Sequence, residues 1–170
     1  MKISRKPANP VSLVTKGDLS LYFVGSGSAF ARTLYQNNLL ITKERHHLLI
    51  DCGTQCSQAL HEAGLHFSEI QNYLITHSHA DHIGGLEEVQ LFARYVLQRK
   101  PNMVINKPYE KILWEQSLRG GSEISESGRL TFSDLWNTQR PKKLSGYPRE
   151  TLETNVGDIN IKMPRTLHFP

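Results

Sequence analysis

The sequence predicts an α+β domain in which a mixed β-sheet carries helices packed against it. Short apolar, β-branched runs come first, and helical and strand-like segments then alternate. A third observation places a site on that frame. The stretch "THSHADHIGG", Thr76 to Gly85, follows directly on a buried-strand pattern and sets His77, His79, Asp81 and His82 close together. In α/β sheets, ligands gather beyond the carboxyl ends of strands.

The elements follow in order. Residues 1–17 read as a loosely attached arm, broken by Pro7 and Pro10. "LSLYFV", Leu19 to Val24, is a strand ending in a Gly-Ser-Gly turn. "NNLLIT" (37–42) and "HHLLID" (46–51) are strands joined as a hairpin around Lys43 to Arg45. "TQCSQALHEAGL" (54–65) is helical, with Cys56, Ala59, Leu60 and Ala63 on one face, Thr54 as cap and Gly64 as stop. "NYLIT" (72–76) is a buried strand.

Beyond the histidine cluster, "GLEEVQLFARYVLQR" (85–99) is an amphipathic helix with Leu86, Val89, Ala93, Val96 and Leu97 inward, stopped by Pro101. "MVI" (103–105) is a short strand, and "YEKILWEQSL" (109–118) a helix ending at Gly120 and Gly121. Residues 120–150 are rich in Ser, Gly, Arg and Lys, with "LTFSDLW" as their structural candidate. They are expected to form an insertion or flap. "TLETNVGDINIKM" (151–163) is a hairpin turning at Gly157-Asp158.

The 170 residues suit one domain, and 38% hydrophobic with 21% charged residues is ordinary for a globular protein. No apolar run approaches the ~20 residues of a membrane span. The start, "MKISRKPANP", lacks the apolar stretch of a secretory signal, so a cytoplasmic location is expected. Cys52 and Cys56 read as reduced packing thiols. A net charge of +4 favours an anionic substrate, such as a phosphodiester, through long-range attraction. The clusters Arg94, Arg99, Lys100 and Arg140, Lys142, Lys143 read as solvated faces.

The histidine cluster calls for metal. In extended backbone His77 and His79 point to the same side and can share one cation. Asp81 and His82 lie past a bend and can aim at a second position, with donors suited to zinc, manganese or iron. Gly84 and Gly85 let the backbone pass close and begin the next helix. Without a cation, three imidazoles and one carboxylate would be poorly compensated. His46, His47, His61 and His66 are expected to be structural or surface residues.

"THSHADH", with "LLIDCG" upstream, resembles the signature of the metallo-β-lactamase fold superfamily. The segment "GSGSAF…YQNNLLI" resembles its ribonuclease Z-like and phosphodiesterase-like branch. The resemblance implies an αββα sandwich over residues 18–170, of which this chain supplies mainly the N-terminal half. It implies two divalent metal ions, zinc first and manganese or iron as alternatives. His77, His79 and His168 would hold one ion, and Asp81 and His82 the other, with the catalytic role on these last two. Asp51 would brace the metal loop, and Asn37 and Asn38 would lie near the substrate.

The implied activity is metal-dependent hydrolysis of a phosphodiester, RNA or a cyclic nucleotide, by an activated water. A lactone or thioester hydrolase of the same fold is the alternative. The superfamily's bridging aspartate and last histidine are not found in this chain. A non-catalytic chain needing a complement is therefore a further alternative, and a second copy or a complementing C-terminal chain is expected on the open sheet edge.

Overall fold

The computed structural model describes residues 11–166. A six-stranded sheet forms the centre, in the order β1-β2-β3-β4-β5-β8. Strands β1 (Leu19–Gly25), β2 (Asn38–Lys43) and β3 (His46–Ile50) pair antiparallel. From β3 the pairing turns parallel through β4 (Asn72–Leu74), β5 (Asn102–Val104) and β8 (Asn137–Gln139). A second sheet has the order β11-β10-β9, from β9 (Lys142–Leu144), β10 (Thr151–Val156) and β11 (Ile159–Pro164).

Adjacent residues on the parallel strands serve opposite faces, which is why these strands are apolar without interruption. Leu49, Tyr73 and Met103 join the core under the helices, with Leu60, Leu86, Val89, Leu113 and Trp136. Their neighbours Leu48, Leu74 and Val104 meet Val156, Ile159 and Ile161 of the second sheet. The layers are therefore helix, sheet and sheet, the expected sandwich up to its second sheet.

The helices are α1 (Cys56–Glu62), α2 (Ala80–Ile83), α3 (Leu86–Phe92), α4 (Lys107–Leu113), α5 (Arg119–Ser122) and α6 (Phe132–Leu135). Gly64, at φ +79°, closes α1, and Leu65 N–H donates back to the Leu60 carbonyl at 2.9 Å. The β2–β3 hairpin and the β10–β11 hairpin, with its turn at Gly157-Asp158, form as expected.

Several details differ from expectation. Thr54 does not cap α1; its hydroxyl donates to Gln36 Oε1 at 3.0 Å, and Gln55 takes the cap position. Val96 is 61% exposed rather than inward. Helix α3 widens into a π turn over Ala93–Leu97, which rotates the later side chains off the apolar face. The helix expected to stop at Gly120-Gly121 runs on through a π turn (Trp114–Leu118) into α5. A Cβ at Gly121 would meet only the carboxylate tip of the exposed Glu87 side chain, 2.1 Å from Oε2.

Residues 120–150, expected as an insertion or flap, build into the body. They supply the small hairpin of β6 (Ile124–Ser125) and β7 (Gly128–Arg129), then α6, β8 and β9. Leu130, Phe132, Leu135 and Trp136 are buried in the core. Of the expected arm, Val11 N–H donates to the Ala63 carbonyl at 3.2 Å and Thr15 N–H to the Glu44 carbonyl at 2.7 Å. Residues 1–10 lie outside the described residues.

Candidate metal centre

The site is built where β3 and β4 end side by side. Asp51 follows β3 in the left-handed region, φ +62°, which Asp tolerates better than most residues. It is 3% exposed. Its N–H donates to the Leu74 carbonyl at 2.9 Å, and its carboxylate turns toward the loop after β4. There it accepts the Thr76 N–H at 2.8 Å and the Thr76 hydroxyl at 2.9 Å, and it lies 2.6 Å from His82 Nδ1. One buried carboxylate thus ties the strand end, the loop and α2 together.

The backbone repeats this tie. Cys52 N–H donates to the His82 carbonyl at 2.8 Å, and Gly85 N–H to the Cys52 carbonyl at 2.9 Å. Gly53 is required by the closeness of the two loops, since a Cβ there would sit 2.1 Å from the Asp81 carbonyl oxygen. Gly53 N–H donates to Asn38 Oδ1 at 2.9 Å, and Asn38 Nδ2 donates to the Gln36 carbonyl at 2.7 Å. Asn38, expected near the substrate, is buried and spends its amide on this loop. Asn37 is exposed.

The four clustered residues do come together. His77 Nε2 lies 3.0 Å from His79 Nδ1, and the His77 and His82 rings are 4.0 Å apart. His82 Nε2 lies 3.3 Å from Asp81 Oδ2. The Thr76 hydroxyl is 3.1 Å from His77 Nδ1. His77, Asp81 and His82 are half-buried, and His79 is exposed. His168, the expected third ligand of the first ion, lies outside the described residues.

Among the described residues, no group of three or more His, Cys, Asp or Glu is arranged to hold a metal ion. The donor chemistry nonetheless fits one. Two imidazole nitrogens 3.0 Å apart are close enough to share a cation bound at ~2.0–2.1 Å. With Nδ1 held by Asp51, His82 has Nε2 beside Asp81, the arrangement in which a carboxylate orients a metal-ligating imidazole. Cys52 and Cys56 are buried free thiols, and the contact with Cys56 together with burial pushes the Cys52 thiol up, so Cys52 offers no thiolate.

A cleft of about 700 Å³ opens beside the cluster, lined by Thr76, His77, Asn106 and Tyr109, with Ile161 and Met163 across from them. Tyr109 was not legible as a site residue. Its hydroxyl lies 3.0 Å from Ser78 Oγ, and burial pushes its pKa up to about 12, so the phenol stays protonated. The available signal was "INKPY": Asn106 caps α4 by accepting the Tyr109 N–H at 2.8 Å, just past the end of the next parallel strand.

Residues 19–170 match a family model described as Anti-Pycsar protein Apyc1. A protein of that name from Bacillus phage BSP38 is 42% identical over 149 residues, covering 85% of this chain and 57% of its own length. Another, from Paenibacillus sp. (strain J14), is 35% identical over 153 residues, covering 89% and 59%. The chain spans a little over half the length of these curated relatives. Among solved structures, the metallo-β-lactamase fold protein YhfI from Bacillus subtilis superposes with a TM-score of 0.56 at 15% identity, covering 85% of this chain and 56% of its own. A diphosphatase of the PhnP family gives 0.52 at 16% identity, covering 87% and 62%. These likenesses establish the metallo-β-lactamase fold.

Proposed function

The chain belongs to the Anti-Pycsar protein Apyc1 family, and on that premise we propose that it is a metal-dependent hydrolase of phosphodiesters, RNA or a cyclic nucleotide. The target implied by the relatives' name is proposed for this chain as well. The observation that carries the reading is the Asp51–His82 contact at 2.6 Å, which fixes one imidazole of a His/Asp cluster at the mouth of a cleft. The +4 net charge and the likeness to the ribonuclease Z-like branch favour a phosphodiester over a lactone or thioester.

In this reading His77 and His79 hold one divalent ion, with His168, while Asp81 and His82 hold a second; zinc comes first, with manganese or iron as alternatives. When bound, the ions supply the Lewis acidity that lets water attack at neutral pH. The chain's own residues do the rest. Asp51 keeps the proton of His82 on Nδ1 and stops the ring from turning. Tyr109, neutral across the physiological range, can donate its O–H to a substrate oxygen in the cleft. Ile161 and Met163 give the cleft an apolar lining away from the cluster. Completion of the site by a second copy or a complementing chain belongs to the proposal, supported by the exposed Leu19, Leu21 and Phe23 on edge strand β1.

The test measures metal per chain by elemental analysis and turnover of bis(p-nitrophenyl) phosphate, a cyclic nucleotide, a short RNA and a thioester. Two ions per chain, with turnover confined to phosphodiesters and lost in Asp81→Ala, is the expected result. Thioester turnover alone supports the alternative hydrolase. Absence of metal and of all turnover supports a non-catalytic chain.

A further inference from the structure

The two basic clusters of the sequence meet opposite fates. Arg140 pairs with Glu110, and Lys143 lies 3.2 Å from Glu150. Arg94, Arg99 and Lys100 form no ion pair among the described residues. Neutral oxygens anchor them instead. Arg94 donates to Ser127 Oγ at 2.8 Å, Arg99 to the Ser68 carbonyl, and Lys100 to the Ser133 carbonyl at 2.7 Å. Such contacts fix a cation in place without pairing it, and the Asp134 carboxylate nearby offsets only part of the charge of Lys100 and Arg94.

All three line one pocket of about 430 Å³, together with Tyr95, Gln98 and Leu135; Asp134 is the acid on its wall. The π turn of α3 and the left-handed Gln98, φ +52°, shape it, and Arg99 N–H donates back to the Ala93 carbonyl at 3.1 Å. Lys100 precedes β5, whereas His77 follows β4, and the two strands are parallel. The pocket therefore lies at the opposite end of the sheet from the His/Asp cluster.

We propose that this pocket is a second ligand site, which takes the phosphate group of a small phosphomonoester. Two guanidinium groups offer paired N–H donors matched to phosphate oxygens, and the Lys100 ammonium adds a point charge. Against one carboxylate the walls keep a surplus of positive charge, which suits a dianion better than the single charge of a diester link. Tyr95 is half exposed, and its ring lies 5.8 Å beneath the Arg94 guanidinium, which adds an aromatic surface to the lining. Binding in this pocket requires neither a metal ion nor hydrolysis.

Calorimetric titration of the full chain with AMP, inorganic phosphate and adenosine tests it. AMP and phosphate bind saturably and compete, and adenosine does not bind. The double variant Arg94→Gln/Lys100→Gln weakens AMP binding at least about tenfold through lost charge-assisted hydrogen bonds. His77→Ala leaves that binding in place, which separates this pocket from the cleft at the cluster. Asp134→Asn keeps an oxygen for its contact with Thr131 and tightens AMP binding roughly two- to fivefold, the range of one exposed charge. The proposal is overturned by non-saturable AMP binding, by binding that ignores the double variant, or by tighter binding of an oligonucleotide without terminal phosphates.

Discussion

Asp51 Oδ2 lies 2.6 Å from His82 Nδ1, across two loops that sequence alone separates by 31 positions. The same carboxylate holds the Thr76 N–H and hydroxyl, so it organises the loop that carries His77 and His79. Asp51→Asn keeps the tolerance for φ +62° but removes the charge and one acceptor oxygen. Its cost is about 2–3 kcal/mol, since donors to a buried charged group are left short of a partner. Metal affinity falls roughly 10–100-fold through loss of the imidazole's orienting partner. Urea unfolding and a zinc competition titration check the two effects. Wild-type affinity in this variant would remove Asp51 from any part in the site.

Gly53 holds the loops at their closest approach. Gly53→Ala places a methyl group 2.1 Å from the Asp81 carbonyl oxygen and 2.5 Å from Gln36 Oε1. The first neighbour is backbone and cannot swing away. The expected loss is roughly 1–3 kcal/mol, the usual cost of overpacking. Asp81 should shift with it, so the signals of the 76–85 loop move, and the proposed metal binding weakens, while the hairpin signals far from the loop stay unchanged. Heteronuclear NMR resolves the two.

The cluster was legible because four ligand-type residues followed a strand pattern, and the strands were legible because burial on both faces leaves no polar alternation. Other features had no local signal. Gln36, Thr76 and Tyr109 enter the site through contacts spanning loops, and common residue types give no warning of that. The stretch 120–150 read as an excursion because its apolar residues are few. Yet four of them, Leu130, Phe132, Leu135 and Trp136, turn inward, while Ile124 and Tyr147 stay exposed. Asn38 looked like a turn residue near substrate, but its buried amide serves the Gly53 loop.

Trp136 measures how firmly that stretch is built in. Its indole N–H donates to Gln90 Oε1 at 2.7 Å, and Gln90 Nε2 donates in turn to Ser122 Oγ. Trp136→Phe keeps an aromatic ring and strands the Gln90 oxygen, at a cost of about 1–3 kcal/mol. A peripheral flap would give a change within about 0.5 kcal/mol. The denaturation midpoint decides between them.

His47 gives the fold a dependence on acidity. Burial lowers its pKa, with the neighbouring His46 and Arg99 adding to the effect. The unfolded chain then binds the proton more readily than the folded one. The His47 contribution is full above about pH 6.5, the unperturbed histidine value, and is lost as pH falls below it. Its Nε2 accepts the Gln71 N–H at 3.0 Å, which His47→Gln can retain through its amide oxygen. Urea midpoints at pH 7.5 and 5.5 should differ less in the variant than in the wild type. An equal difference would assign the acid sensitivity to other groups.

Edge strand β1 presents Leu19, Leu21 and Phe23 on one face, each more than half exposed. Leu21 pairs with Ile41 and Phe23 with Leu39, and β2 in turn sets Ile41 against Leu48 and Leu39 against Ile50. The face is thus the outward continuation of the core between the sheets, whose buried residues on this sheet come from β3, β4 and β5, with Ile41 of β2 packed at its margin. An apolar stripe on an open strand edge is a surface that another chain can pair with and cover. A second copy is the expected occupant in the isolated protein. Light scattering should give a mass above the 19.3 kDa monomer, and Leu21→Lys/Phe23→Lys should return it to that value. Because both side chains are largely in water, each change should alter monomer stability by less than about 0.5 kcal/mol. A wild-type protein that stays monomeric at high concentration and binds no apolar dye would show that the stripe is tolerated in solvent, and the association would have to be abandoned.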